Sequence, residues 1–84
     1  MDKGGNLIHM NAEEKLFAFL VGALIYKLRK EKGMTQKELA SKVNLPQQYI
    51  SKIEKNKVQI KYVTFIKILK IFGKEIQIVD YEQK

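Results

Sequence analysis

Thr35-Gln36-Lys37-Glu38 constrains this chain more tightly than any other stretch. At that spacing the threonine hydroxyl accepts the backbone N–H of Glu38, and the glutamate carboxylate reaches back to the N–H of Thr35. Met34 and Leu39 flank the box at the two staple positions, so a helix starts here with a fixed entry angle. Gly33 stands just upstream, where a left-handed residue closes a preceding helix at no steric cost. One helix must therefore stop and another begin within a few residues.

Punctuation of the same kind divides the rest of the chain. The spacing predicts a first helix over about Glu13–Lys32, with Val21, Ile25 and Leu28 on one stripe. Leu16–Tyr26 is an uninterrupted apolar run of eleven residues. That falls well short of the roughly 20 needed to cross a bilayer, so the run reads as a buried helix. A second helix is expected over Gln36–Val43, burying Leu39, Ala40 and Val43. Asn44-Leu45-Pro46 breaks it, because Asn tolerates left-handed φ and Pro disfavours helix at the residue before it. A third helix over about Gln47–Lys55 turns Ile50 and Ile53 inward and leaves Gln47, Gln48, Ser51 and Lys52 outward. A fourth, about Lys61–Phe72, carries Tyr62, Phe65, Ile66, Leu69 and Phe72 on one face. Val63, Ile68 and Ile71 broaden its apolar surface beyond one stripe. After Gly73 the alternation in Glu75–Tyr81 reads as a short β-strand. Its own chain offers no second strand, so Ile76 and Ile78 are expected to pair across a dimer, with Ile68 and Ile71 adding to that contact.

The expected class is thus all-α with four helices, one domain over 12–73, a mobile leader over 1–11 and a C-terminal strand and tail over 74–84. His9-Met10 before Asn11 also reads as a junction left by cloning. Acidic Glu13-Glu14 and the lack of a cleavage site argue against a secretion signal, and the chain is expected in the cytoplasm. With no Cys and only His9, neither a zinc site nor a thiolate or His-centred catalyst can be assembled. No cofactor, metal or small-molecule ligand is expected, and no nucleophile–base pair points to an enzyme.

The charge is local. Lys27–Lys61 holds ten Lys and Arg against three Glu, which accounts for the whole net charge of +7, while the remainder is neutral. A basic segment of this kind is the footprint of a phosphate-binding module. It surrounds a helix, a three-residue turn and a second helix, the shape of a DNA-reading helix-turn-helix.

At this point the chain resembles the phage-repressor type of helix-turn-helix, the XRE family, over Val21–Gly73. The resemblance is carried by Gly22, Ile25, Leu28-Arg29 and Gly33, then Thr35-Gln36, Leu39-Ala40, Ile50-Ser51, Ile53-Glu54, Lys57 and Leu69–Gly73. Asn44 stands where the family usually has Gly, and Pro46 where it usually has a Ser or Thr cap. The resemblance implies that the third helix enters the major groove of double-stranded DNA and presents Gln47, Gln48, Tyr49 and Lys52 to the bases. Gln suits adenine N6 and N7, and Lys suits guanine O6 and N7. Gln36, Ser51, Lys55 and Lys57 match or adjoin positions that grip phosphates. Arg29 and Glu54 match a pair that the family uses as a structural salt bridge.

The function implied is a dimeric, sequence-specific repressor on a near-palindromic operator. A C-terminal strand that pairs across a dimer is similar to that of HipB-like antitoxins, which would add a toxin protein as a partner. An interaction module that keeps the fold without binding DNA is the remaining alternative, favoured by the apolar Leu16, Phe17 and Phe19 and opposed by the placement of the charge.

Overall fold

The computed structural model of the chain describes residues 10–80. Four helices follow one another: α1 Ala12–Glu31, α2 Gln36–Val43, α3 Gln47–Glu54 and α4 Tyr62–Ile71. Residues 1–9 of the expected leader lie outside the described residues. Met10 and Asn11, assigned by sequence to the end of that leader, belong to the folded unit. Met10 is buried. Asn11 caps α1 through a full capping box, its Oδ1 accepting the Glu14 N–H at 2.8 Å while Glu14 Oε1 accepts the Asn11 N–H at 3.0 Å.

All four helices end the same way. The residues after them that enter left-handed φ are Gly33 (65°), Asn44 (59°), Asn56 (63°) and Gly73 (69°). Each time the following N–H turns back to a carbonyl five residues upstream: Met34 to Arg29, Leu45 to Ala40, Lys57 to Lys52 and Lys74 to Leu69, at 2.9–3.0 Å. This double closure satisfies carbonyls that a helix end otherwise strands, and it reverses the chain abruptly. Short helices can therefore pack tightly without long loops.

The core lies where α1 and α2 meet α3, with α4 closing over α2. Ile25, Leu39, Ile50, Ile53 and Ile68 are its least accessible side chains, and Phe65, Leu69 and Phe72 seal it from α4. Ile68 is thus interior rather than part of a dimer contact, because α4 turns it inward alongside Phe65 and Leu69. Ile71 is half-buried against the same core. Gly22 lets α1 approach α3 closely, since a Cβ there would lie 2.5 Å from the Ile53 carbonyl oxygen and 2.6 Å from Asn56 Oδ1.

Two further expectations fail. The apolar run of α1 is not wholly buried: Val21, Ile25 and Leu28 face the core, whereas Leu16, Phe17, Phe19, Leu20 and Leu24 are exposed. The C-terminal strand is not seen. Described residues 74–80 lie outside any helix or strand, and Ile78 is almost completely exposed. Alternation prepares a segment for a ladder, but a ladder needs a second strand to accept its N–H groups.

Candidate nucleic-acid interface

The first turns of α2 and α3 converge. One open groove is lined by Gln36, Pro46, Gln47, Gln48 and Ser51, and an adjoining one by Arg29, Lys30, Gly33, Met34, Thr35, Gln36 and Gln47. Gln36 and Gln47 are common to both, so the two grooves form one polar surface. Gln47 and Gln48 are exposed on α3, as is Lys52 one turn later, and Ser51 is half-buried beside them. Lys55 and Lys57 follow at the exposed end of α3.

Local chemistry orients this surface. Thr35 Oγ1 accepts the Glu38 N–H at 3.0 Å and Glu38 Oε1 accepts the Thr35 N–H at 2.7 Å, so α2 starts with its capping box complete. Those bonds, the Thr35 backbone N–H foremost, hold the Glu38 carboxyl below the usual carboxylate range. The start of α3 differs. Pro46 supplies no side-chain cap, and its carbonyl receives the Tyr49 and Ile50 amides. The first N–H groups of α3 are left open to an outside acceptor, in the electropositive field of the helix N-terminus.

A buried ion pair ties three helices together behind the groove. Arg29 Nε and Nη2 donate to Glu54 Oε2 and Oε1 at 2.7 and 2.9 Å, and Nη1 donates to the Met34 carbonyl at 2.8 Å. Glu54 chiefly raises the Arg29 pKa, against a smaller effect of burial. Three of the five guanidinium N–H groups are thus spent inside the protein, and Arg29, although it lines the groove, is buried. Glu54 Oε1 also accepts a hydrogen bond from Gln36 Nε2 at 3.0 Å. One N–H of the Gln36 amide is spent on this link, and the other N–H and the carbonyl remain for a ligand.

Tyr49 turns away from the other three residues expected to read bases. It packs partly against the core and lines a separate depression with Leu45, Pro46, Lys61 and Thr64. Burial raises its pKa, an effect that the neighbouring Lys61 backbone partly offsets. Tyr49 thereby anchors α3 to the start of α4.

Every acid within Lys27–Lys61 is engaged locally: Glu31 lies 4.0 Å from Lys27, Glu38 closes its capping box, and Glu54 holds Arg29 and Gln36. The surrounding lysines therefore present a positive field without a carboxylate aimed into the groove. Sequence reading missed three structural supports: Asn56 in left-handed φ, the Gly22 contact and the Gln36–Glu54 bond. Asn56, which follows α3 and tolerates left-handed φ, was the available signal for the first of these. Among the described residues no group of His, Cys, Asp and Glu is placed to hold a metal, and no helix is long and apolar enough to cross a membrane.

Comparison with known proteins places this geometry. A family model described as helix-turn-helix matches residues 25–79. An uncharacterized HTH-type transcriptional regulator, y4dJ, from Sinorhizobium fredii is 33% identical over 54 residues, covering 64% of this chain and 70% of the relative. The restriction-modification controller protein C.Esp1396I, solved as a tetramer in complex with its natural 35 base-pair operator, is 40% identical with a TM-score of 0.64, over 69% of this chain and 76% of that one. SinR, solved in complex with SinI, is 32% identical with a TM-score of 0.59, over 66% of this chain and 54% of that one.

Proposed function

The chain belongs to the XRE-type helix-turn-helix family and is a DNA-binding transcriptional regulator, and on that premise we propose that it acts as a dimeric, non-catalytic repressor in the cytoplasm. In this reading α3 enters the major groove, Gln47, Gln48 and Lys52 read base edges, and Gln36, Ser51, Lys55 and Lys57 hold phosphates. The carrying observation is the convergence of two helix N-termini on Gln36 and Gln47, within a basic segment whose acids are all locally engaged. Amides on a rigid helix suit base edges, and uncapped N–H groups suit phosphate oxygens.

Two protomers on DNA would place their α3 helices about one helical turn apart, roughly 34 Å, on a near-palindromic site. The antitoxin alternative turns on whether residues 74–80, which form no strand in the single chain, pair across a dimer. The similarity to a controller protein solved on its operator makes repressor the preferred reading. Selection from a random duplex pool with the purified chain, with the mass of the complex measured alongside, tests it. Enrichment of half-sites about one turn apart is expected, and affinity should fall steeply with salt as counterions are released. No enrichment, or salt-independent affinity, overturns it.

A further inference from the structure

A surface helix normally presents polar residues to solvent, and α1 does not. Leu16 is 58% exposed, Leu20 54% and Leu24 38%, spaced four residues apart down one side. Phe17, Phe19 and Tyr26 widen the strip at 45–52% exposure. At its edges, Phe17 meets Phe65 of α4 edge to face at 6.3 Å between ring centres, and the Tyr26 ring lies under the Arg29 guanidinium at 5.4 Å. With large side chains at ~150–250 Å² each, the exposed fraction amounts to about 550 Å² of apolar surface. That matches the largest patches monomers carry, which are often functional.

We propose that this face of α1 packs antiparallel against the same face of a second copy, with the two-fold axis at Leu20. The inference rests on the dimeric reading above and names its interface. Its warrant is self-complementarity, which a contact between identical patches demands and a contact with an unrelated partner does not. Counting four residues either way from Leu20 gives Leu16 and Leu24, three gives Phe17 and Ala23, and seven gives Glu13 and Lys27. An antiparallel copy centred on Leu20 therefore sets leucine on leucine, a phenylalanine ring over the small Ala23, and the Glu13 carboxylate beside the partner's Lys27. Ala23 and Glu13 are exposed, and Lys27, largely exposed, would exchange its surface contact with Glu31 at 4.0 Å for the partner's Glu13. Complete burial of both faces would remove about 1,100 Å² from water, against the ~1,200 Å² at which specific interfaces begin. The strip is bounded by charges of opposite sign, Glu13 at one end and Lys27 at the other, which an antiparallel copy brings together.

The chain has no cysteine, so Leu20→Cys gives a single thiol on the proposed axis. In the full chain, oxidation is expected to yield a reductant-sensitive covalent dimer at least about tenfold faster than for Ile78→Cys, which sits on the exposed C-terminal segment; a disulfide needs the two Cα atoms within ~7 Å. Equal or slower cross-linking of Leu20→Cys overturns the interface. Glu13→Lys and Lys27→Glu are each expected to weaken self-association about three- to tenfold, as exposed ion pairs allow, and the double variant to restore it. Failure of the double variant to recover overturns the antiparallel register. Circular dichroism confirms that each variant folds, as expected for exposed positions. A dimer by mass in which Leu20→Cys does not cross-link sinks this interface and leaves the dimeric repressor standing. A monomer by mass at all concentrations sinks both, while duplex selection tests DNA binding independently.

Discussion

Gln36 donates its side-chain amide to Glu54 across 3.0 Å, so the carboxylate that closes the ion pair with Arg29 also holds a residue of the groove proposed to face DNA. A stability element and a recognition element thus share one oxygen, Glu54 Oε1. Removing either charge from a buried pair strands the other. Glu54→Ala or Arg29→Ala is expected to cost about 3–5 kcal/mol, read by urea denaturation. Arg29→Met with Glu54→Leu should recover most of that loss, because two apolar side chains leave no buried charge. The recovered protein should still bind duplex more weakly, since Gln36 then has no acceptor. Full recovery of both stability and affinity would show that Gln36 does not depend on Glu54.

Gly22 sets the distance between α1 and α3. A methyl group there meets the Ile53 carbonyl oxygen at 2.5 Å, a backbone atom that cannot swing aside. Gly22→Ala should therefore destabilise by about 1–3 kcal/mol through overpacking, although alanine is the better helix former by nearly 1 kcal/mol. A gain in thermal stability would contradict the packing described.

The Glu38 carboxyl is depressed chiefly by the Thr35 backbone N–H, with the Thr35 hydroxyl helping. A carboxyl with a lower pKa in the folded than in the unfolded state adds stability above the unfolded value. That increment is lost as pH falls through the folded one. Stability curves measured across the acidic range should therefore show a decline that Glu38→Gln lacks. Thr35→Val, which removes the hydroxyl and keeps the backbone donor, should weaken this decline without abolishing it.

Most of the helix plan is legible because it is written in local chemistry. Gly33, the Thr35–Glu38 box and Asn44 each act within five residues, and α2 spans Gln36–Val43 as the spacing predicts. The Asn11–Glu14 box carries the same signature, yet Gly4-Gly5 and His9-Met10 beside it read as leader and hide it. The errors concern partners. Alternation in Glu75–Tyr81 describes side chains and is silent on a second strand. The apolar breadth of α4 is only partly core: Ile68 is buried and Ile71 half-buried, whereas Tyr62 and Val63 are exposed. Periodicity identifies a core stripe on α1 but cannot show that the opposite apolar face is uncovered. In the groove, the outward positions of Gln47, Gln48 and Lys52 follow from helical spacing. Tyr49 lies between them in sequence, and only its contact with the start of α4 turns it aside.

Gln47 and Lys57 separate two ways of binding DNA. Gln47 is exposed at the first turn of α3, where the groove walls contributed by Gln36 and Pro46 fix its approach. An amide there discriminates bases through paired donor and acceptor groups, at about 1–3 kcal/mol for a good bidentate pair. Gln47→Ala should therefore flatten the preference between the selected duplex and single-base variants at one position per half-site. Lys57 lies past the helix end, held by its own N–H to the Lys52 carbonyl at 2.9 Å, with its side chain exposed. It acts as charge alone, so Lys57→Ala should lower affinity for all duplexes alike and reduce the salt slope by about 0.9 for each phosphate it no longer neutralises. Fluorescence anisotropy at several salt concentrations, on matched and mismatched duplexes, separates the two effects. The assignment fails if Gln47→Ala weakens every duplex equally, or if Lys57→Ala changes which sequence is preferred.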